Sequence, residues 1–491
     1  MVRLIFAAVA VAFLALVGFV GYRTLNFTAP PPPAAVQAPD LAAYQIDTNA
    51  AAQRLSEAVR FRTVTLAAPT DDKAPFEQFH AWMQQHYPAF HAAARREEVA
   101  GLSLIYTWEG SDPAQPPLLL LAHQDVVPVG DDTRAAWRVD PFGGLVRDGE
   151  IWGRGSIDDK GSLVALLEAA EYLASRGARP KRTIIFAFGH DEELGGTGAA
   201  AMSHLLALRG IRAWFALDEG SAIIARHPLT GGPAALIGIS EKGFATLRVR
   251  AVGQPGHSSM PPHETAVSLL AEAVERIHAM PIERRLEGGP ALDMMRALAP
   301  ELSLTNRIAL ANEWLAGPIL QRRLANDPAA QALIGTTVAP TMISGGVRPN
   351  VLPSEATAMI NFRIHPRDTS ADLLRRARQA VADLDGVTVE WADTPREASR
   401  VSSTTSSSFA LIAALSRKGA PDAAVAPGLV VAGTDSRQYA DVAENVYRFQ
   451  PELFTEEDLE MPHGVNERLS VANFDRMIRF YIGLMETGAM Q

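Results

Sequence analysis

The chain has 491 residues, more than one ordinary hydrophobic core accommodates, so two domains are expected. A composition that is 47% hydrophobic and 20% charged excludes a disordered chain, and a formal charge of −10 without clustered Lys and Arg argues against a nucleic-acid partner. The absence of cysteine excludes disulfides, thiolate metal sites and a cysteine nucleophile, so any metal must be held by His, Asp and Glu, a donor set suited to zinc, cobalt or manganese.

The first element is an unbroken apolar run over residues 4–22, flanked by Arg3 and Arg23 and about long enough to cross a bilayer. Its length favours an uncleaved membrane anchor (residues 1–23) over a cleaved signal, for which the Ala-rich stretch 34–38 offers the nearest site. A Pro/Ala-rich linker over 24–48 follows, and its prolines at 30–33 read as a stiff exposed spacer. The folded body is then expected outside the cytoplasm, held at the membrane, or secreted if the segment is removed.

Beyond the linker, the apolar period predicts helices over 49–60 and 76–87. Short apolar strands are predicted at 118–122, 183–188 and 213–217, with a helix over 162–175 that ends at Gly177 and Pro180. This alternation is that of an α/β domain with a mostly parallel sheet. The texture changes at Gly243: a strand at 244–252, a helix at 264–277, strands at 341–344 and 356–364, a helix at 371–384 and a strand at 387–391 give the ferredoxin-like order. A helix-prone stretch over 281–339 reads as an insertion into it. From 397 the α/β texture returns, with a strand at 429–432 and a closing helix at 474–485. The expected organisation is a larger domain built from 49–242 and 397–491, with an α+β domain, 243–396, inserted as a lid.

Each predicted strand of the larger domain runs into acidic or histidine residues: 118–122 into His123 and Asp125, 183–188 into Asp191, Glu192 and Glu193, and 213–217 into Asp218 and Glu219. In an open parallel sheet, ligands bind beyond the carboxyl ends of the strands, so these groups should share one rim. A fourth group, Gly153 to Lys160 with Asp158 and Asp159, precedes the helix at 162. Any one of these residues alone would read as a turn or a cap. Together they suit a pair of divalent ions sharing a bridging carboxylate, with one further carboxylate left over as general base.

At these residues the sequence resembles the aminoacylase and carboxypeptidase S family of dinuclear zinc metallopeptidases. The similar motifs are Ala122-His-Gln-Asp125, Gly153 to Lys160, Asp191-Glu-Glu-Leu-Gly-Gly196, Asp218-Glu-Gly220, Gly256-His-Ser-Ser259 and Met461-Pro-His-Gly464. The resemblance implies two Zn2+ per chain (Co2+ or Mn2+ in their place), with His123 and Asp218 on one ion, Glu193 and His463 on the other, and Asp158 bridging. It makes Glu192 the base that activates a metal-bridging water, Asp125 the residue that orients His123, and His257 a lid histidine that meets the oxyanion. The segment Gly345 to Val351 resembles a substrate-facing part of the same family, which puts Asn350 and Arg348 near an oxyanion or a carboxylate. Arg437, in a further family-like motif, is a candidate for the substrate carboxylate.

The function so implied is a metallo-exopeptidase (carboxypeptidase-like) or an N-acyl-amino-acid amidohydrolase acting on a small molecule or short peptide with a free carboxylate. The family also contains homodimers joined through the lid, in which the histidine corresponding to His257 serves the partner's site. The apolar insertion hints at a lipid-like acyl chain on the substrate. The alternative is a catalytically inactive binding or scaffold protein on the same fold, although no ligand or base is missing. A serine hydrolase is disfavoured because no Gly-x-Ser-x-Gly elbow follows a strand.

Overall fold

A computed structural model describes residues 2–29, 36–65, 73–317 and 327–490. The predicted proline spacer at 30–33 and part of the predicted insertion lie outside the described residues.

Among the described residues, the larger sheet has ten strands. Its heart is four parallel strands in the order Ile184–Gly189, Leu118–His123, Ala213–Asp218, Ala443–Arg448. Their residues are almost all buried, because helices cover both faces and the alternating polar positions of a one-sided strand are absent. Leu118, Leu120, Ile184, Phe186 and Phe188 face one apolar cluster, and the interleaved Leu119, Leu121, Ile185 and Ala187 face another. The helix Lys160–Ser175 is buried along most of its length and packs against the closing helix Val471–Met485. Ser470 starts that last helix by accepting a hydrogen bond from the Asn473 N–H at 3.1 Å.

The second sheet has four antiparallel strands in the order Thr337–Gly345, Glu355–Ile364, Gly243–Val252, Val387–Trp391. The helices Ala266–His278 and Ser370–Ala380 pack on it, so the chain runs strand, helix, strand, strand, helix, strand, in the ferredoxin-like order. Thr265 opens the first of these helices with a reciprocal cap to Ser268.

Most expected elements sit within a few residues of their predicted places. The differences are informative. The strand expected at 341–344 runs over Thr337–Gly345, and that expected at 429–432 is Ala424–Val430. Strands Ser103–Trp108, Ala234–Glu241 and Ala443–Arg448 were not anticipated. Among the described residues, the expected insertion adds no strand before Thr337; its helix Pro290–Leu298 packs on Ala424–Val430 of the large sheet, with Leu286, Met294, Met295 and Leu298 forming a small core with Phe27, Ala234 and Ala426. The N-terminal helix, Val2–Leu25, is long and apolar enough to cross a membrane, and its apolar stretch is exposed.

Candidate metal centre

The parallel register brings three strand ends to one rim: His123 pairs with Gly189, and Asp218 lies beside Arg448. His123 closes its strand, Glu192 and Glu193 begin the turn after theirs, and Glu219 follows Asp218. The Gly153 to Lys160 loop enters the rim from the side, and His463 reaches it from the segment before the closing helix with a backbone φ of 61°, a left-handed conformation rare for a β-substituted residue.

Two groups of potential ligands form there, sharing Asp158: His123, Asp158 and Glu219, and Asp158, Glu193 and His463. The Asp158 Oδ1 lies 2.9 Å from His123 Nε2, and its Oδ2 lies 3.1 Å from His463 Nε2. Glu193 Oε2 is 3.1 Å from the same His463 nitrogen, and Glu219 Oε1 is 3.7 Å from His123 Nε2. So many carboxylates beside two imidazoles need positive charge. Burial alone would lower the His123 pKa, but Asp125, Asp158 and Glu219 outweigh it and push it well above the ordinary value. Asp158 and Glu193 drive His463 up to about 10. The Glu193 Oε1 and Asp218 Oδ2 atoms are buried without a hydrogen-bond partner. Cations would satisfy these needs together, and the nitrogen and oxygen donors fit divalent ions.

Glu219 was not singled out as a ligand from sequence, where the role went to Asp218. Asp218 is the buried last residue of its strand and belongs to neither group. Successive side chains of a strand diverge, and the longer glutamate just beyond the strand is the one that reaches His123. Asp159 also turns away from the ligand groups: its Oδ2 accepts from the His123 N–H at 3.2 Å and its Oδ1 from the Gln450 amide at 3.1 Å.

Asp125 ties the parts together. Its Oδ1 is 3.3 Å from His123 Nδ1, and its two oxygens accept the N–H groups of Glu192 and Glu193 at 3.1 and 3.2 Å. It therefore leaves His123 Nε2 for the rim and sets the turn that separates the two glutamates. Glu192 belongs to neither ligand group, and burial with the charges of Asp158 and Glu193 raises it to about 8 even though His123 acts in the opposite direction. Asp191, by contrast, caps the helix Thr197–Leu208, accepting from the N–H groups of Thr197 at 3.0 Å and Gly198 at 2.8 Å.

A buried ion pair that sequence reasoning did not find shapes the Asp158 loop. Glu467 Oε1 accepts the N–H groups of Gly155, Ile157 and Asp158 at 3.0, 2.9 and 3.2 Å, and its Oε2 meets Arg154 Nη1 at 2.6 Å. Both side chains are almost wholly removed from solvent.

The expected lid residues come together, but apart from the ligand groups. The short strand Gly256–His257 pairs with Val351–Leu352, so that His257 stands opposite Val351, and the Ser258 N–H donates to the Asn350 carbonyl at 3.2 Å. His257, Arg348 and Asn350 are all exposed, and among the described residues no hydrogen bond or ion pair joins them to the carboxylate cluster. Arg437 is engaged differently: its Nε is 3.1 Å from Glu241 Oε1 and donates to the Thr434 carbonyl at 3.1 Å.

The model of peptidase family M20/M25/M40 matches residues 119–487, a span that holds every ligand candidate above. The chain belongs to the M20/M25/M40 peptidase family. Among its relatives, the probable carboxypeptidase S-like 2 of Dictyostelium discoideum is 37% identical over 477 residues, covering 94% of this chain and 90% of the relative. The N-fatty-acyl-amino acid synthase/hydrolase PM20D1 of Mus musculus is also 37% identical, over 435 residues that cover 87% of this chain and 86% of the relative. In fold the chain is similar to the M20 family metallo-carboxypeptidase Sso-CP2 of Sulfolobus solfataricus, with a TM-score of 0.64 at 16% identity over 90% of this chain and 99% of that one. As a member of the M20 family the chain is a hydrolase, and its carboxylate–histidine rim is where metal ions would be held.

Proposed function

We propose that this M20 hydrolase works with two metal ions and releases an amino acid from a peptide or an N-acyl amino acid. Asp158 carries the reading, because its two oxygens face two different ligand groups. Asp158, Glu193 and His463 would hold one ion, and His123 and Asp158 the other, together with Asp218, whose buried Oδ2 has no hydrogen-bond partner, or with Glu219, which falls in the same ligand group. A cysteine-free set of imidazole and carboxylate donors suits Zn2+, with Co2+ or Mn2+ as substitutes. Bound there, such ions supply Lewis-acid polarisation of the scissile carbonyl and acidify an attacking water.

The chain's own residues then do the proton work. Glu192 stands free of both ligand groups; it takes the proton of the attacking water and returns it to the leaving amine nitrogen as the amide C–N bond breaks. Asp125 fixes the ring of His123 and the spacing of Glu192 from Glu193. The organisation as 49–242 and 397–491 around an inserted 243–396 lets the lid bring His257 to the oxyanion, and Asn350 and Arg348 to the substrate, by closure, either in its own chain or across a homodimer. Arg437, held by Glu241, lies in the part of the chain expected to meet the substrate carboxylate.

Support for the substrate class comes from the relatives, whose names join carboxypeptidases and N-fatty-acyl-amino acid hydrolases. The two substrates share an amide next to an amino acid carboxylate and differ only on the acyl side. The N-terminal helix supports a membrane anchor with the catalytic body outside the cytoplasm. The test is a panel of dipeptides and of N-acyl amino acids with short and long chains, with amino acid release followed before and after chelation. Chelator-sensitive release from either class supports the reading and identifies the acyl side. No release from any of them by metal-replete protein overturns it.

A further inference from the structure

The base of the N-terminal helix is held against the insertion. Arg307 donates to the carbonyls of Thr24 at 3.0 Å and Leu25 at 3.3 Å, and the Asn312 amide donates to Thr24 Oγ1 at 3.2 Å. The Arg307 contacts satisfy carbonyl groups that a helix end leaves without intrahelical partners. Thr24 is buried, Phe27 belongs to the core of the insertion, and the Ala29 N–H donates to the Arg296 carbonyl at 3.2 Å. The insertion therefore grips the base of the helix over more than a turn.

The same insertion exposes large apolar side chains. On the helix Leu304–Ala311 and just beyond it, Leu310 and Ala311 are buried, while Leu304 is 68% exposed, and Trp314 and Leu315 are 52% and 53% exposed. Leu304 and Ile308, four residues apart, share one exposed face of that helix, and Trp314 and Leu315 add exposed apolar side chains just after it ends at Asn312. The height of this apolar surface is set by the Trp314 ring, whose centroid is 5.9 Å from that of Phe19. Phe19 lies on the apolar side of Arg23, about 6 Å along the axis at about 1.5 Å per residue.

We propose that the insertion is a second membrane contact, in which Leu304, Ile308, Trp314 and Leu315 enter the outer boundary of the bilayer beside the helix Val2–Leu25. This rests on the membrane-anchor reading above. Once Val2–Leu25 spans the bilayer, Phe19 lies within the apolar layer and Trp314 beside it is drawn to the depth where tryptophan is favoured at membrane interfaces. The exposed face of the helix Leu304–Ala311 then lies along the surface like an interfacial helix. Two contacts on one rigid unit fix the tilt of the body and hold the large sheet, on which the insertion packs, at a set height above the lipid. A hydrolase so placed meets amphiphilic substrates where they are concentrated.

The absence of cysteine makes a direct test available in the full chain. Leu304→Cys and Leu315→Cys, with Leu208→Cys on an exposed helix end of the large domain as a control, would each carry one environment-sensitive fluorophore. The labelled proteins would be reconstituted into phosphatidylcholine vesicles with and without brominated acyl chains, and their flotation measured. The expected result is a blue shift and bromine quenching for the probes at 304 and 315, and neither for the probe at 208. Floating protein whose 304 and 315 probes behave like that at 208 overturns the second contact and leaves the anchor standing. Protein that fails to float overturns the anchor reading and the second contact with it.

Discussion

Replacing Arg154 by Met keeps a long apolar stem but removes the guanidinium that faces Glu467. Glu467 would still accept three backbone N–H groups from the Asp158 loop, yet its charge would be buried without a counter-ion. Breaking a buried pair on one side costs about 3–5 kcal/mol. With an unfolding entropy of about 2.1 cal/mol/K per residue over roughly 450 residues of folded body, about 4 kcal/mol corresponds to a fall in Tm of about 4 °C if the body unfolds as a unit. The pH dependence gives the sharper signature. Burial already raises the Glu467 pKa, against the opposing effect of Arg154. A carboxyl whose folded pKa is raised stabilises the fold when protonated, and that contribution is lost as pH rises through the shifted pKa. Removing Arg154 raises the pKa further, so the deficit of Arg154→Met relative to the parent should be small at acidic pH and grow towards neutral pH. Thermal unfolding of both proteins across that range is the assay. An equal deficit at every pH, or one below about 1 kcal/mol throughout, would refute the argument that Arg154 neutralises a buried charge.

Glu192→Gln should retain its metal and lose about 10²–10⁴-fold or more in kcat. Because the base must be deprotonated, kcat/KM in the parent should rise with pH. Cations in the rim would draw the Glu192 pKa below the value of about 8 that burial and its neighbours give it, so an acidic limb centred above pH 8 would contradict the assignment. Asp125→Asn should weaken metal binding about 10–100-fold through the loss of His123 orientation, read by competition with a chelating dye; unchanged affinity would remove Asp125 from that role. Glu219→Gln should lower the affinity for one ion of the pair more than Asp218→Asn does, and the reverse order in calorimetric titration would return the role to Asp218.

Much of the rim was legible in the sequence because a buried parallel strand announces itself as a short apolar run, and the residue that ends the run must lie at the rim. His123 and Glu193 follow such runs, whereas Asp158 lies in the loop before the helix Lys160–Ser175, and the roles of all three came from the resemblance of the motifs to the family. Choosing between adjacent carboxylates was harder. Asp218 and Glu219 are both strand-end acids, and which one faces a histidine on the neighbouring strand depends on where the strand ends and on the phase of its pleat, which the residue types do not reveal. Glu467 and Arg154 escaped notice because a lone charge far along the chain usually marks a solvated surface; here 313 positions separate two partners that meet in the interior. The insertion was expected from a helix-prone, strand-poor stretch, but its packing on the large sheet and around the N-terminal helix joins residues hundreds of positions apart, which no local pattern shows. Ser103–Trp108 was missed although all six of its residues are buried.

The central claim is that Asp158 bridges two metal ions. Titrating the metal-depleted full chain with Zn2+ and following bound metal by elemental analysis, with Asp158→Asn in parallel, tests it most directly. The account predicts about two ions per parent chain and loss of tight binding of both in the variant, since the two ligand groups share that one residue. A single ion per parent chain, or a variant that keeps one ion at parental affinity, would contradict it.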